Sequence, residues 1–459
     1  MKKTLLSLVT ISAIATTGAL ASSDTDIAEL KAMMQQMNKR LAKLEAENKQ
    51  LKAQVSKKKK TATHHASKSA PAHKYRSSAA KDDRVAALEE KVEKLEKQTP
   101  VFSKSSKLKF SGLHYLGFVH GKHTEGGSTP NNYSYNDFET RRNYIQVKGY
   151  FFDNPKSYAR VTLDTAQKDN GDWEVRLKYA YLYLDNVLPY TGVEFGQAHR
   201  PWIDYEEHHG WLYRSIAKTF VERGHDADFT NSADLGINFK TKTEYFSSEL
   251  GIFNGEGYHG LIDNKDDNNG LSYEWRLTAN LLGTGKKHVH KDDKYADISF
   301  YGQYNKKDGK RGETVNGKDG DFVWYGFNAV YNQPEFLIAA NYLKATKAAG
   351  GSDLKAGATA PYTDKDYKGN YKGHGWSVNG ELRLLTFSPE LDKWNLIGRY
   401  DDWSLDSGAE KKTVIAGVAY KWSDNIEFIL NYDDYKAYDD TGAFDTEDQR
   451  VLFTAEVNW

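Results

Sequence analysis

The sequence predicts an all-β fold class, a sixteen-stranded antiparallel transmembrane β-barrel preceded by an N-terminal periplasmic coiled-coil segment, and three observations point there. From Lys107 onward, apolar and polar residues alternate with period two in segments of about ten residues. The connections between those segments are alternately short and long. An export signal stands at the N-terminus, and no later stretch offers the roughly 20 apolar residues that a transmembrane helix needs. A closed barrel is the remaining backbone that satisfies its hydrogen bonds in lipid.

Residues 1–21 read as the signal peptide: Lys2 and Lys3 are a basic n-region, Leu5 to Ala15 an apolar stretch, and Ala19-Leu20-Ala21 a small-residue cleavage site. Residues 22–55 read as a coiled coil. Ile27, Leu30, Met34, Met37, Leu41, Leu44, Asn48, Leu51 and Val55 keep a 3,4 spacing without a slip. Asn48 at an a position favours two strands in parallel dimers, which sits awkwardly with a trimer. Residues 56–81 are a flexible linker, basic throughout and without an acidic residue; its scattered His64, His65 and His73 present no fixed metal face. A second short seam, Val85, Leu88, Val92 and Leu95, occupies residues 82–99 and ends before Pro100.

The barrel is expected over residues 101–459. Within Asn143 to Phe152, Ile145, Val147, Gly149 and Phe151 share one face, and Tyr144, Gln146, Lys148 and Tyr150 the other. Between Trp173 and Asp185 the same rule groups Val175, Leu177, Tyr179, Tyr181 and Tyr183 opposite Glu174, Arg176 and Lys178. Sixteen strands start near residues 108, 138, 157, 173, 192, 233, 244, 271, 294, 321, 335, 375, 393, 412, 425 and 447, an even number as bacterial barrels require. Turn chemistry at Asp153-Asn154-Pro155-Lys156, Asn332-Gln333-Pro334, Ser388-Pro389-Glu390-Leu391 and Ser423-Asp424-Asn425 marks short periplasmic connections. Residues 121–135, 203–232, 254–270, 306–320 and 347–372 are long and polar, as outer loops are. The connections at 283–293 and 167–172 strain this alternation in length without reversing it. The chain closes with Val451, Phe453, Ala455, Val457 and Trp459 on one face, so that Phe453 and Trp459 mark a membrane-interface terminus.

Composition excludes several classes of function. There is no cysteine, so disulfides, thiolate-ligated metals and cysteine nucleophiles are ruled out. With 63 basic and 63 acidic residues the formal charge is zero, which gives no reason to expect a nucleic-acid partner. The sequence holds no hydrolase nucleophile elbow, zincin motif or phosphate-binding glycine loop, so neither an enzyme nor a cofactor is expected. Asp263 to Gly270 resembles a calcium loop in content but lacks the Glu at its twelfth position, and His288 and His290 with Asp292 and Asp293 read as a solvated turn.

The motifs Phe138-Glu139-Thr140-Arg141-Arg142 leading to Gly149, Ala180-Tyr181-Leu182-Tyr183, Gly196-Gln197 with Arg200-Pro201, Leu235-Gly236, Phe253-Asn254-Gly255 and the closing Val457-Asn458-Trp459 carry a likeness. Together they resemble the Gram-negative trimeric porins, and within them the phosphate- and polyphosphate-selective family, over about residues 107–459. The resemblance implies an outer-membrane sixteen-stranded barrel, a homotrimer, an inward-folded third outer loop and an arginine ladder that conducts anions. It also suits a coiled coil on the periplasmic side.

Because Lys or Arg at the bilayer midplane costs roughly 2–4 kcal/mol, Arg142, Lys148, Arg160, Arg176 and Lys178 are expected to point inward as a basic wall. The loop from Trp202 to Asp228 carries Asp204, Glu206, Glu207, Glu222, Asp226 and Asp228. If it folds inward, its acids face that wall across an eyelet whose field orients and sieves solutes. The alternative stays open that the basic residues pair with Asp164, Glu174 and Glu194 on the same inner face.

Split along the chain, the zero net charge becomes +9 in the signal and stalk and −9 in residues 101–459, which hold 43 basic and 52 acidic side chains. An acidic barrel favours a general diffusion channel for small hydrophilic solutes and ions over a dedicated phosphate channel. The alternatives are an anion-selective porin, or an envelope tether reaching the cell wall through the basic arm. Outer-membrane lipid and lipopolysaccharide are the expected surroundings.

Overall fold

The computed structural model describes residues 107–459 apart from 168–170, 256, 259–269, 284, 286–292, 307–313, 316–317 and 349–371. The expected signal peptide, coiled coil, linker and second seam lie outside the described residues, as do most of the calcium-like tract and both His288 and His290. Sixteen antiparallel strands form one closed barrel. In chain order they are β1 (Leu108–Glu125), β2 (Tyr133–Gly149), β3 (Tyr158–Gln167), β4 (Trp173–Leu188), β5 (Thr191–His199), β6 (Ala233–Lys242), β7 (Phe246–Phe253), β8 (Ser272–Asn280) and β9 (Tyr295–Asn305). After a two-residue hairpin in an outer loop, β10 (Thr314–Val315) with β11 (Lys318–Asp319), come β12 (Phe322–Gln333), β13 (Phe336–Lys347), β14 (Gly373–Arg383), β15 (Trp394–Leu405), β16 (Glu410–Ser423), β17 (Ile426–Tyr438) and β18 (Phe444–Asn458). Each expected strand start falls within five residues of an observed one. Closure is made by β1 against β18, in register from Leu113 opposite Asn458 to Glu125 opposite Thr446.

Period-two patterning sets the two faces. On β8, Ser272, Glu274, Arg276, Thr278 and Asn280 are inward and buried, while Tyr273 and Leu277 are exposed outward. The register shifts in several strand pairs, and two of these β-bulges bear on the basic residues of the interior. One at Arg141 lets consecutive Arg141 and Arg142 both turn inward. The other, at Lys178, reverses the phase of β4. Tyr179 and Tyr181, which uninterrupted alternation groups with Val175 and Leu177 on the lipid face, are therefore buried on the inner face. There they pack against His199, with ring centroids 4.4 and 5.4 Å away.

The outer face is banded. At the short-turn rim, Trp394, Tyr420, Trp422, Phe428 and Phe453 follow one another as neighbouring rings 4.5–6.4 Å apart, as an interfacial aromatic girdle requires. Trp459 joins the same rim, its indole donating to His114 Nε2 at 2.9 Å. Toward the long-loop rim the outward positions become charged, with Lys412 bound to Glu410 at 2.8 Å and Lys436 to Glu447 at 2.9 Å.

Residues 200–232 leave β5 and pack against the inner wall of β8, β9 and β12–β17. The segment contains one short helix, α1 (Ile203–His209). Trp202, Ile203, Phe220, Val221 and Phe229 bury themselves against Tyr301, Phe322, Trp324, Leu343 and Trp403 of the wall. The Trp202 and Tyr301 rings stack 3.5 Å apart. Polar ties run alongside. Tyr205 donates to Asp297 at 2.7 Å, Asn379 to the Gly210 carbonyl at 2.7 Å, and Arg399 to the Lys218 carbonyl at 2.7 Å. Arg223 grips both oxygens of Asp433 at 2.9 and 2.8 Å, and Arg450 shares that carboxylate.

Two outcomes follow from this architecture. Leu430→Arg, on the exposed lipid face of β17, lowers the unfolding free energy in lipid vesicles by about 2–4 kcal/mol, whereas Leu430→Phe changes it by less than about 1 kcal/mol, as urea titration would report. Asp433→Ala leaves two inward guanidinium groups without their shared carboxylate and costs about 3–5 kcal/mol. Trypsin then cuts at Arg214, Lys218 or Arg223 while the barrel strands survive, as mass spectrometry of the fragments would show.

Candidate functional site

The charged interior falls into two populations. On one side, arginines and carboxylates neutralise each other. Arg200 bonds Glu274 and Asp234, Arg276 bonds Glu249 at 3.0 Å, Arg383 bonds Glu381 at 2.6 Å, and Arg399 bonds Asp401 at 2.8 Å and Asp226 at 3.4 Å. Glu194, one of the acids expected to compensate the basic wall, instead accepts from Lys240 at 3.3 Å and from the His199 ring at 3.0 Å.

On the other side lie the residues expected to form a basic wall. Among the described residues, Arg142, Lys148, Arg160 and Lys178 form no ion pair with a carboxylate. Their neighbours are tyrosine rings. Arg142 lies 4.8 Å from the centroid of Tyr144 and 5.7 Å from that of Tyr115; Lys148 lies 4.7 Å from Tyr158, and Arg160 lies 4.4 Å from Tyr179. Such cation–π contacts hold a cation in place without cancelling its charge. Arg176 shares the inward face of β4 and is half-buried. Lys178 differs from the expectation: it is 0% exposed, bonded to Ser232 and covered by the Tyr258 ring at 3.6 Å. Ser232 at the end of the inserted segment and Tyr258 in the outer loop after β7 cover it.

The acids of the inserted segment are also tied down. Arg214 clamps Glu207 and Glu222, reaching Glu222 with both terminal nitrogens at 2.6 and 2.9 Å. Burial alone would raise the Glu222 pKa, but this guanidinium holds it far below the usual carboxylate range. Burial and the neighbouring Asp401 carboxylate push the Asp226 pKa up, while Asp226 accepts from Thr413 at 3.1 Å. Glu206 is 3% exposed and turned into the wall, where it accepts from Trp202 at 2.6 Å and Asn341 at 2.9 Å; burial pushes its pKa up to about 7. It does not face the lumen. Asp204 is more open than Glu206, Glu207 and Glu222, and lies 3.7 Å from His199 and 3.8 Å from His208.

Sequence reasoning missed three groups. Arg141 is turned inward by its bulge, bonding Thr454 and lying 3.5 Å from Glu139; no local signal announces that bulge. Arg276, Arg383 and Arg399 were accessible to the same alternation that revealed Arg160. Arg214 and Arg223 stood in plain view among the loop acids they neutralise.

The family model described as phosphate-selective porin O and P matches residues 127–455. No curated protein matches the chain. Among solved structures, the anion-selective porin from Comamonas acidovorans aligns with a TM-score of 0.52 at 9% identity, covering 77% of this chain and 100% of its own. OmpF from Salmonella typhi aligns with a TM-score of 0.49 at 13% identity, covering 78% and 100%. The outer-membrane channel DcaP of Acinetobacter baumannii aligns with a TM-score of 0.48 at 11% identity, covering 77% and 98%. The first of these supports the barrel fold, and the match over 127–455 assigns the lineage: the chain belongs to the phosphate-selective porin family and is an outer-membrane channel.

Proposed function

We propose that the barrel is a passive, water-filled channel for small hydrophilic solutes and ions, narrowed by residues 200–232 where they approach the wall of β2–β4, and that it favours anions. The imbalance of neutralisation carries this reading. Arg142, Lys148 and Arg160 keep their charge against tyrosine rings, whereas Glu207 and Glu222 opposite them share the Arg214 guanidinium, which offsets one of their two charges. The net −9 of residues 101–459 does not oppose this, because carboxylates bound to buried arginines or placed in screened outer loops add little field at the lumen. Charged rings of this kind select ions by sign. Family membership supports a homotrimer, and the charged outward band at the long-loop rim suits a lipopolysaccharide headgroup layer.

Reversal potentials of the purified protein in a planar bilayer under a potassium chloride gradient test the reading. Chloride is expected to permeate faster than potassium. Arg142→Gln or Arg160→Gln is expected to reduce the anion-to-cation ratio about twofold, since one charge about 8 Å away in water contributes about 0.5 kcal/mol. A cation preference in the parent protein overturns the anion assignment, and the absence of conductance overturns the channel itself.

A further inference from the structure

Arg160 is held in an unusual way for a guanidinium at the edge of a charged interior: each of its partners is neutral. Its Nε donates to Thr162 Oγ1 at 3.0 Å, and its Nη1 meets the Tyr181 hydroxyl at 3.3 Å and His199 Nε2 at 3.0 Å. Its plane lies over Tyr179. Among the described residues Nη2 takes no partner. A guanidinium only donates, so Nε2 of His199 must offer a lone pair and the ring proton sits on Nδ1. That nitrogen faces Glu194, 3.0 Å from Oε2 and 3.2 Å from Oε1. Glu194 also takes the backbone N–H of His199 at 3.2 Å, which fixes the residue from two directions. Lys240, placed between Glu194 and Glu249 at 3.3 Å from each, absorbs the negative charge behind the ring. The ring is clamped between Tyr179 and Tyr181, and Asn238 holds its backbone carbonyl at 3.1 Å.

We propose that His199 is a positioning residue for selectivity: locked by Glu194 in its Nδ1–H tautomer, it presents a neutral acceptor that fixes Arg160 in the wall while leaving the guanidinium charge, and its Nη2 donors, available to a passing anion. This rests on the anion preference proposed above. A carboxylate in the same place would hold Arg160 equally well but would cancel the charge. Asp204 lies 3.7 Å from the same Nε2 and, among the described residues, forms no ion pair with Arg160, so the imidazole rather than the acid makes the contact.

Two polar substitutions of the full-length protein separate the nitrogens of the ring. In His199→Asn the amide sits where Nδ1 was and still meets Glu194, but nothing reaches Arg160. In His199→Gln the amide oxygen extends to the position of Nε2. Both variants are compared with Arg160→Gln by reversal potential in a planar bilayer under a potassium chloride gradient. His199→Asn is expected to lower the anion-to-cation ratio by about as much as Arg160→Gln, about twofold. The double variant His199→Asn with Arg160→Gln should lower it no further, because the two act through one group. His199→Gln should hold the ratio of the parent. If Arg160→Gln shifts the ratio and His199→Asn does not, the role of His199 is overturned and the anion reading stands. Equal loss in the Asn and Gln variants also overturns it, since the ring would then serve packing alone. If no variant shifts the ratio, Arg160 is not a selectivity residue and both readings fail.

Discussion

A backbone crossing a bilayer must pair every N–H and C=O within the protein, and in this chain the pairing of β1 with β18 is what makes that possible. Without it two strand edges would face lipid. With it, the side chains have two destinations, outward to lipid and inward to an enclosed space. Polar residues are confined to the second across the middle of the wall and reappear outside near the rims, as Lys412 and Lys436 do. The charge density of the interior is a consequence of closure: ionic groups that cannot face lipid accumulate within.

Once enclosed, those charges have to be neutralised or left to act on whatever passes. The inserted segment divides the interior between these fates. Where it lies against β8, β9 and β12–β17, apolar side chains such as Trp324, Leu343 and Trp403 take up its Trp202, Phe220 and Phe229. The arginines and carboxylates along that seam form closed pairs. Breaking such a pair costs far more than making it gains, because the partner left behind is desolvated and alone. The seam therefore holds the segment as a packed part of the barrel rather than as a swinging arm. Across the lumen, Arg142, Lys148 and Arg160 of β2 and β3 are supported by tyrosine rings and, among the described residues, form no ion pair with an acid.

The candidate site was partly legible in the sequence. Arg142, Lys148 and Arg160 follow from alternation and the cost of a charge in lipid. Glu206 and Lys178 show where such reasoning stops, since both have the right chemistry in the right segment yet are turned out of the lumen. Their orientation depends on Asn341 in one case and on Ser232 and Tyr258 in the other, residues far away in the chain. Bulges are a second blind spot. One extra residue at Arg141 or Lys178 changes which neighbours share a face, and nothing in the surrounding ten residues marks it.

By itself the sequence determined the strand number, their order, the outward band and the rim that carries long loops. These follow from the two-residue repeat of an extended chain and from turn chemistry, both of which act over a few residues. Only the tertiary structure decided which interior charges cancel. It also decided why Tyr179 and Tyr181 face the lumen and why some inner positions, among them Tyr301, Phe322 and Trp403, are aromatic. Each of those outcomes depends on what lies opposite across the barrel, and that is set when β1 meets β18 and residues 200–232 settle between them.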